Sequence, residues 1–380
     1  MPRYPDLKAA LRLSNAALGS AVSAYWLGAL LVGVLGGLAV GRWGSGRVAW
    51  VVTVGAAANL ALIGWAPSWL ALAGVLFLAG SLDTVADIAE NAHALRVERG
   101  YGRSILNSLH GVWSIGAVTG GLTGAAAAGL HIPIRWHLSV AAAVFAAVAV
   151  GVSRLLLPGP DRAGAARAHR TPPPGVVTGP PRRWSPGARL LLTVAALGSI
   201  ATLAQAIEDT GATWSTVYLR DELGATGAVA GLGFVALQGM QTVGRLLGDR
   251  VVTRYGDRAV ARAGAALAGL AVGAAVAVGS TVAAIVGFGL AGLGIATSIP
   301  AAMRYADALP GLGAGVGLTM VGTVSRIGSL GAPPLVGFLA DAFSLRVALL
   351  VVPVAAVVLM MLARVLRPAA RLADADPALG

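Results

Sequence analysis

Four polar residues interrupt one apolar run. Asp83, Asp87, Glu90 and Asn91 stand at i, i+4, i+7 and i+8, so they share one helical face. A carboxylate at mid-membrane costs about 2.5–3.5 kcal/mol on insertion scales. This face is therefore expected to line a water-filled cavity or to meet a partner, and carboxylates so placed can load and release protons. Glu90 either titrates together with Asp87 or selects a cationic solute. His93 reads as a hydrogen-bonded helix residue near the inner membrane surface rather than a titrating one.

Further chemistry lies along the chain. Glu208 and Asp209 sit inside another apolar run, followed by Trp214 and Tyr218. Trp214 is expected to face the cavity and stack on a ring. Tyr218, beside Arg220, reads as an interfacial aromatic. Arg326 is the one base inside a span, where an unpaired guanidinium is very costly. Its expected partner is Asp87, Glu90 or Glu208, in a pair that is either fixed or opened by substrate; an anchor for a substrate carboxylate is the other reading. Gly116, Gly120 and Gly124 form a ladder of small residues suited to close helix packing. Pro300, Pro333 and Pro334 are expected to bend their helices.

The elements that position these residues follow from composition. The 380 residues are 57% hydrophobic and 12% charged, with mean hydropathy +0.78. Soluble domains carry about 25% charged residues. Apolar runs long enough to span a bilayer recur throughout, which predicts an all-α, multi-pass membrane protein. No cysteine is present, so a disulfide framework or thiolate metal site is excluded. Lys8 is the only lysine and no His precedes a Glu, which excludes a phosphate-binding P-loop and an H-E-x-x-H zinc site. Gly287, Gly289 and Gly292 spell G-x-G-x-x-G inside an apolar run and read as helix packing. No cofactor or metal is expected.

Predicted spans cover 15–40, 48–66, 69–96, 104–130 and 136–157, then 188–219, 228–247, 259–278, 282–305, 315–339 and 345–365. Residues 1–14 are polar and amphipathic. A Pro- and Arg-rich segment divides the blocks and reads as a cytoplasmic linker. The expected organisation is a first bundle (1–157), a linker (158–186), a second bundle (187–368) and a flexible tail (369–380). With the linker inside, 21 of 28 basic residues fall on the cytoplasmic side and six outside, with Arg326 in a span. That asymmetry fixes the orientation, puts the first residues outside, and explains the net charge of +12 without nucleic acid. The two blocks echo each other in GGLAVGRWGSGR (36–47) and GDRVVTRYGDR (248–258), and such duplication marks a secondary transporter.

The duplicated plan and these basic loops resemble the major facilitator superfamily. The loops look like its G-x-x-x-D-R-x-G-R-[RK] gating signature in degraded form. Gly37, Arg42 and Gly44 match in the first copy; Arg254 and Gly256 match in the second. The acid is replaced by Gly41 and Thr253, and Asp249 with Arg245 is expected to supply the ion pair instead. Within the superfamily the chain resembles the fucose-permease-like branch. The likeness rests on Asp87, Asn91, Ala92, Glu98, Arg99, Gly102, Arg103, His110, Trp113, Ser114 and Gly116, on EDTGATWSTVYLRDELG (208–224), and on GAPPLVGFLAD (331–341).

The resemblance implies two six-helix bundles and proton coupling at Asp87, with Glu208 matching its seventh-helix acid; Glu90, by its type and spacing, is read as a further coupling group. Asp83, Asn91, His110, Trp113, Asp209, Trp214 and Arg326 would line the substrate cavity. Glu90 stands where the branch has Met, and His93 where it has Gln. Residues 6–19 resemble the outer loop between the first two helices of the usual twelve. This predicts eleven helices here, five plus six, from a start placed too far downstream or, less favoured, a true variant. The implied function is a monomeric bacterial inner-membrane transporter of a small sugar-like or other organic solute, with protons and the bilayer as its other partners. Efflux of cationic compounds is the alternative within the class. A sensor or non-functional truncation is the alternative outside it.

Overall fold

The structure, a computed structural model, describes residues 1–101, 106–159, 188–309, 312 and 316–366. The predicted tail and all but the first two residues of the predicted linker lie outside the described residues.

The opening residues, amphipathic in sequence, are a short helix with one buried face. They form α1, Tyr4–Ala10, with Pro5 in its first turn and Tyr4, Pro5 and Leu7 buried. α2 spans Asn15–Trp43 and starts where the Ser14 hydroxyl accepts the Ala17 N–H, a standard N-cap. Gly44, at φ +85°, turns the chain directly into α3, Ser45–Gly64. α4 covers Trp69–Tyr101, α5 Leu106–Gly129 and α6 Ile134–Ser153.

The second block begins with α7, Ala188–Val217, which runs on into a π turn, Tyr218–Glu222. α8, Gly227–Tyr255, is followed by Gly256 at φ +78° and by α9, Asp257–Val278. α2 and α8 are both 29 residues long. Arg42 lies 5.9 Å over the Trp43 ring and Arg254 5.4 Å over Tyr255, so each basic loop is an Arg on an aromatic ring beside a positive-φ glycine. A side chain at either glycine would be strained. The echo read in the sequence is a repeat in space.

Prolines divide the later helices as their chemistry requires. The predicted 282–305 span is two helices, α10 Thr281–Ile295 and α11 Ser298–Asp307. Pro300 has no N–H for the carbonyl four residues back, at Ala296, and the helix breaks there. α12, Val316–Ala342, carries Pro333 and Pro334 without a break. The Leu330 carbonyl that Pro334 cannot satisfy accepts the Ser23 hydroxyl of α2 at 2.7 Å. The short α13, Leu345–Ala348, and α14, Val351–Leu362, follow, with a 3-10 turn at Ala363–Val365.

Glycines set the close approaches. A Cβ on Gly80 of α4 would lie 1.9 Å from the Tyr25 carbonyl of α2. One on Gly292 would lie 2.1 Å from the Leu237 carbonyl, which shows the G-x-G-x-x-G run of α10 to be a packing surface against α8. In contrast, Gly116 and Gly120 of α5 face nothing within 4 Å, and only Gly124 of the predicted ladder meets a neighbour, Pro2.

The described residues include eight segments long and apolar enough to cross a membrane. The other predicted spans correspond to α5, α8 and α12. These are 24, 29 and 27 residues long, which suffices to cross by length, and they are less apolar because they face the opposing half rather than lipid. The architecture is all-α, with a first bundle of α2–α6 and a second of α7–α14. In the second bundle α7 packs at the centre against α12, α14, α8 and α11. Among the described residues no helix takes the matching place in the first bundle. There α6 leaves Val140, Val144, Phe145 and Val148 exposed.

Candidate functional site

The two bundles meet near their outer ends. There Gly19 and Ser23 of α2 meet Pro333 and Leu330 of α12, and Gly121 and Gly129 of α5 meet Phe234 and Ala228 of α8. Charges reinforce the closure. Asp341, at the end of α12, accepts the Asn15 and Ala16 N–H groups at 2.9 and 2.8 Å, placing a carboxylate on the positive end of α2. Lys8 pairs with Asp221 at 2.6 Å, and Arg220 with Asp6 at 2.6 Å. Toward the cytoplasmic ends, Gly37 and Gly41 of α2, Gly111 of α5 and Gly239 of α8 face nothing within 4 Å. The halves are closed together at the α1 end, and a cleft runs between them toward the basic loops.

The acidic face of α4 lies within this cleft. Asp83, Asp87 and Glu90 are exposed although they sit mid-helix. Each has a neutral donor: Tyr25 Oη to Asp83 at 2.7 Å, Asn91 Nδ2 to Asp87 Oδ1 at 2.8 Å, and Thr53 Oγ1 to Glu90 at 3.2 Å. Across the cleft, Gln205 donates to Asp209 at 3.0 Å, while the other Asp209 oxygen is buried without a partner. Tyr25 lies within electrostatic reach of Asp83, Asp209 and Tyr4. Burial, with the Asp209 charge adding to it, holds the Tyr4 phenol of α1 well above its usual range. Carboxylates from both halves and two tyrosines thus surround the closed outer end of the cleft.

Curated relatives share this plan along nearly the whole chain. A transporter of Sinorhizobium fredii, y4wD, is 30% identical over 368 residues, covering 96% of this chain and 93% of that protein. An MFS-type transporter of Yersinia pestis is 28% identical over 351 residues, covering 91% and 86%. Residues 198–378 also match the Major Facilitator Superfamily model. The chain belongs to the major facilitator superfamily. It is a multi-pass membrane transporter rather than an enzyme. Solved structures agree on the fold. A nucleoside transporter, NupG, superposes with TM-score 0.71 at 14% identity over 95% of this chain and 93% of that one. A bacterial homolog of the lysosomal transporter Spinster, in an inward-facing and occupied conformation, gives 0.72 at 16% identity over 96% and 90%.

This major facilitator chain places the other candidate residues unevenly. Glu208 is buried, takes a hydrogen bond from Gln241 at 2.7 Å, and lies 3.8 Å from Arg245. Arg245 therefore pairs with Glu208, not with the exposed Asp249 as predicted: Asp249 is carried down the same helix, whereas Glu208 faces Arg245 from α7. Arg245 also lies 6.0 Å over the ring of Trp113, which is exposed in the cleft. This Glu208–Arg245–Trp113 line crosses from one half to the other. Arg326 is exposed beside Gly33 of α2, and none of the ion pairs formed among the described residues includes it. Its predicted pairing with Asp87, Glu90 or Glu208 is not made among the described residues. Water in the open cleft can solvate it instead.

Trp214 and Tyr218 are corrections of another kind. They are 0% and 1% exposed, enclosed in the core of the second bundle, so neither lines the cleft nor forms an interfacial belt. His110 lies on α5, with its side chain outside the described residues. His93 is buried; it accepts the Leu157 N–H at 3.3 Å and lies 3.2 Å from the Ser45 hydroxyl, which ties α3, α4 and the end of α6 together.

Several site residues carried no sequence signal that set them apart. Tyr25, Thr53, Gln205 and Gln241 are isolated polar residues in apolar runs, and only the helix contacts show which acid each serves. The partner of Asp257 is likewise a surprise, Arg304 of α11, which braces the second basic loop.

The Glu208–Arg245 pair makes a direct prediction. Arg245→Leu leaves the Glu208 carboxylate buried with only Gln241, and an uncompensated buried group costs about 1–3 kcal/mol, more when charged. Melting in detergent should show a loss of that size, and the double change with Glu208→Gln should recover part of it. Equal melting of single and double variants contradicts the pairing.

Proposed function

We propose that this protein is a proton-coupled secondary transporter of a small organic solute in a bacterial cytoplasmic membrane. Asp87 carries the proton, assisted by Glu90 and Glu208. Asp83, Asn91, Trp113, Asp209 and Arg326 contact the solute. The observation that carries the reading is the exposure of three α4 carboxylates in the cleft, each hydrogen-bonded only by neutral groups. Among the described residues no cation fixes them in the charged state, so either protonation state can be held as the cleft is hydrated or closed. The resemblance to the fucose-permease-like branch supports a sugar-like solute.

In membrane vesicles, an imposed proton gradient should drive solute movement, and Asp87→Asn should reduce it to the level of vesicles lacking the protein. Undiminished gradient-driven transport by that variant ends the assignment of Asp87. A second reading, efflux of cationic compounds, is favoured by the charge of the cleft, where three α4 acids stand against Arg326. Gradient-driven extrusion of a lipophilic cation, with no sugar uptake, would select it.

The unfilled place beside α5 and α6 supports a further transmembrane helix in the first bundle, preceding α1 in the chain and matching α7. On this reading the 1–157 and 187–368 blocks are structural equivalents, and the added helix would narrow the opening onto the α4 acids. An in-frame apolar run of about 20 codons upstream of Met1 is the expected finding; a stop codon directly upstream removes this helix from the chain.

A further inference from the structure

The outer closure contains a cleft that the transport site does not use. It has a volume of about 260 Å³ and is lined by Arg3, Asp6, His131, Arg220, Gly227 and the 132–134 turn. Arg3, His131 and the start of α6 belong with the first half; Arg220 and the start of α8 belong to the second.

Its electrostatics are one-sided. Arg3 is only 7% exposed. Its Nε donates to Asp6 and its Nη2 to the Ile132 carbonyl at 2.7 Å. Its Nη1 is buried and has no hydrogen-bond partner among the described residues. A charged donor left so is among the costliest unsatisfied groups in a fold. Arg220 also donates to Asp6, so a single carboxylate serves two guanidiniums and one positive charge remains uncompensated.

Two helix starts add to this. α8 begins at Gly227 and α6 at Ile134, and neither has a side chain capping its first turn. Their free N–H groups and positive dipole ends converge where Gly227 and Ile134 line the cleft. Guanidinium forks and free backbone N–H groups are the chemistry that holds tetrahedral oxyanions.

We infer that this outer cleft is a binding site for a phosphate-type oxyanion, and that the bound anion bridges the two halves and holds the outer side closed. The anion takes the free Arg3 donor and the helix starts, and the remaining charge of the arginine pair balances it. Inorganic phosphate and the head group of an anionic lipid share this chemistry.

The test uses the full chain in phosphate-free maltoside micelles. Inorganic phosphate, and separately short-chain phosphatidylglycerol, are titrated in by calorimetry with chloride at matched ionic strength as control. Saturable binding that falls about tenfold or more in Arg3→Gln is expected. Arg220→Lys, which keeps the charge, provides a second variant if Arg3→Gln does not fold, and should weaken binding by losing the fork. In the naturally cysteine-free chain, phosphate should also slow labelling of Ser23→Cys by an outside maleimide. Binding of the lipid alone assigns the site to a head group; binding of phosphate alone assigns it to the free ion. No binding of either, an equal response to chloride, or unchanged binding in a folded Arg3 or Arg220 variant overturns the inference.

Discussion

Gly80→Val should prevent the first bundle from assembling. The added Cβ would lie 1.9 Å from the Tyr25 carbonyl oxygen and 2.6 Å from its carbon. Both are backbone atoms, so no rotamer change relieves the clash and α2 must move bodily from α4. Overpacking typically costs about 1–3 kcal/mol and sometimes more; a displaced backbone puts this site at or beyond the upper end. The shift also carries Tyr25 from Asp83, so any folded fraction should transport poorly. Gly74, on the same helix with nothing within 4 Å, is the control: Gly74→Ala should melt like the parent. Parental melting and yield for Gly80→Val would show that α2 and α4 do not touch here.

Asp341→Ala should open the outer side. The carboxylate closes two free N–H groups of α2 from the far half. A lost cap and its charge–dipole term are worth about 1–2 kcal/mol. That shifts the balance between closed and open forms about five- to thirtyfold. Ser23, whose hydroxyl bonds to Leu330 beneath this cap, reports the opening: a cysteine placed there should react correspondingly faster with a membrane-impermeant reagent added outside. An unchanged rate would mean that the Lys8–Asp221 and Arg220–Asp6 bridges suffice for closure.

Both predictions rest on contacts that the sequence does not display. Gly80 is one of 53 glycines, and nothing in its neighbours distinguishes it from Gly74. Asp341 reads as a polar residue at a helix end; its partner is 326 residues away. Residues 1–14 read as a loop because their polarity is real, yet Asp6 and Lys8 are polar toward the other half of the protein, and Tyr4 and Leu7 are buried by it.

The sequence by itself determined the class of protein, the starts of the helices to within a few residues and the duplication. These depend on local quantities: the length of apolar runs, the placing of arginine, and a repeated Arg–aromatic–Gly turn. It also determined that the α4 acids avoid lipid, since a carboxylate in hydrocarbon is too costly wherever the neighbouring helices lie. Only the tertiary structure decided which acids share the cleft and which are tied up. Asp87 and Glu208 look alike in sequence, each a carboxylate in a span. α4 turns Asp87 toward open space, whereas α8 brings Gln241 and Arg245 against Glu208. Trp214 went the opposite way to expectation for the same reason, and of the two readings of Arg326 only the ion pair is absent among the described residues. Helical periodicity fixes which residues share a face, but the neighbour met by that face is set by packing between segments far apart in the chain.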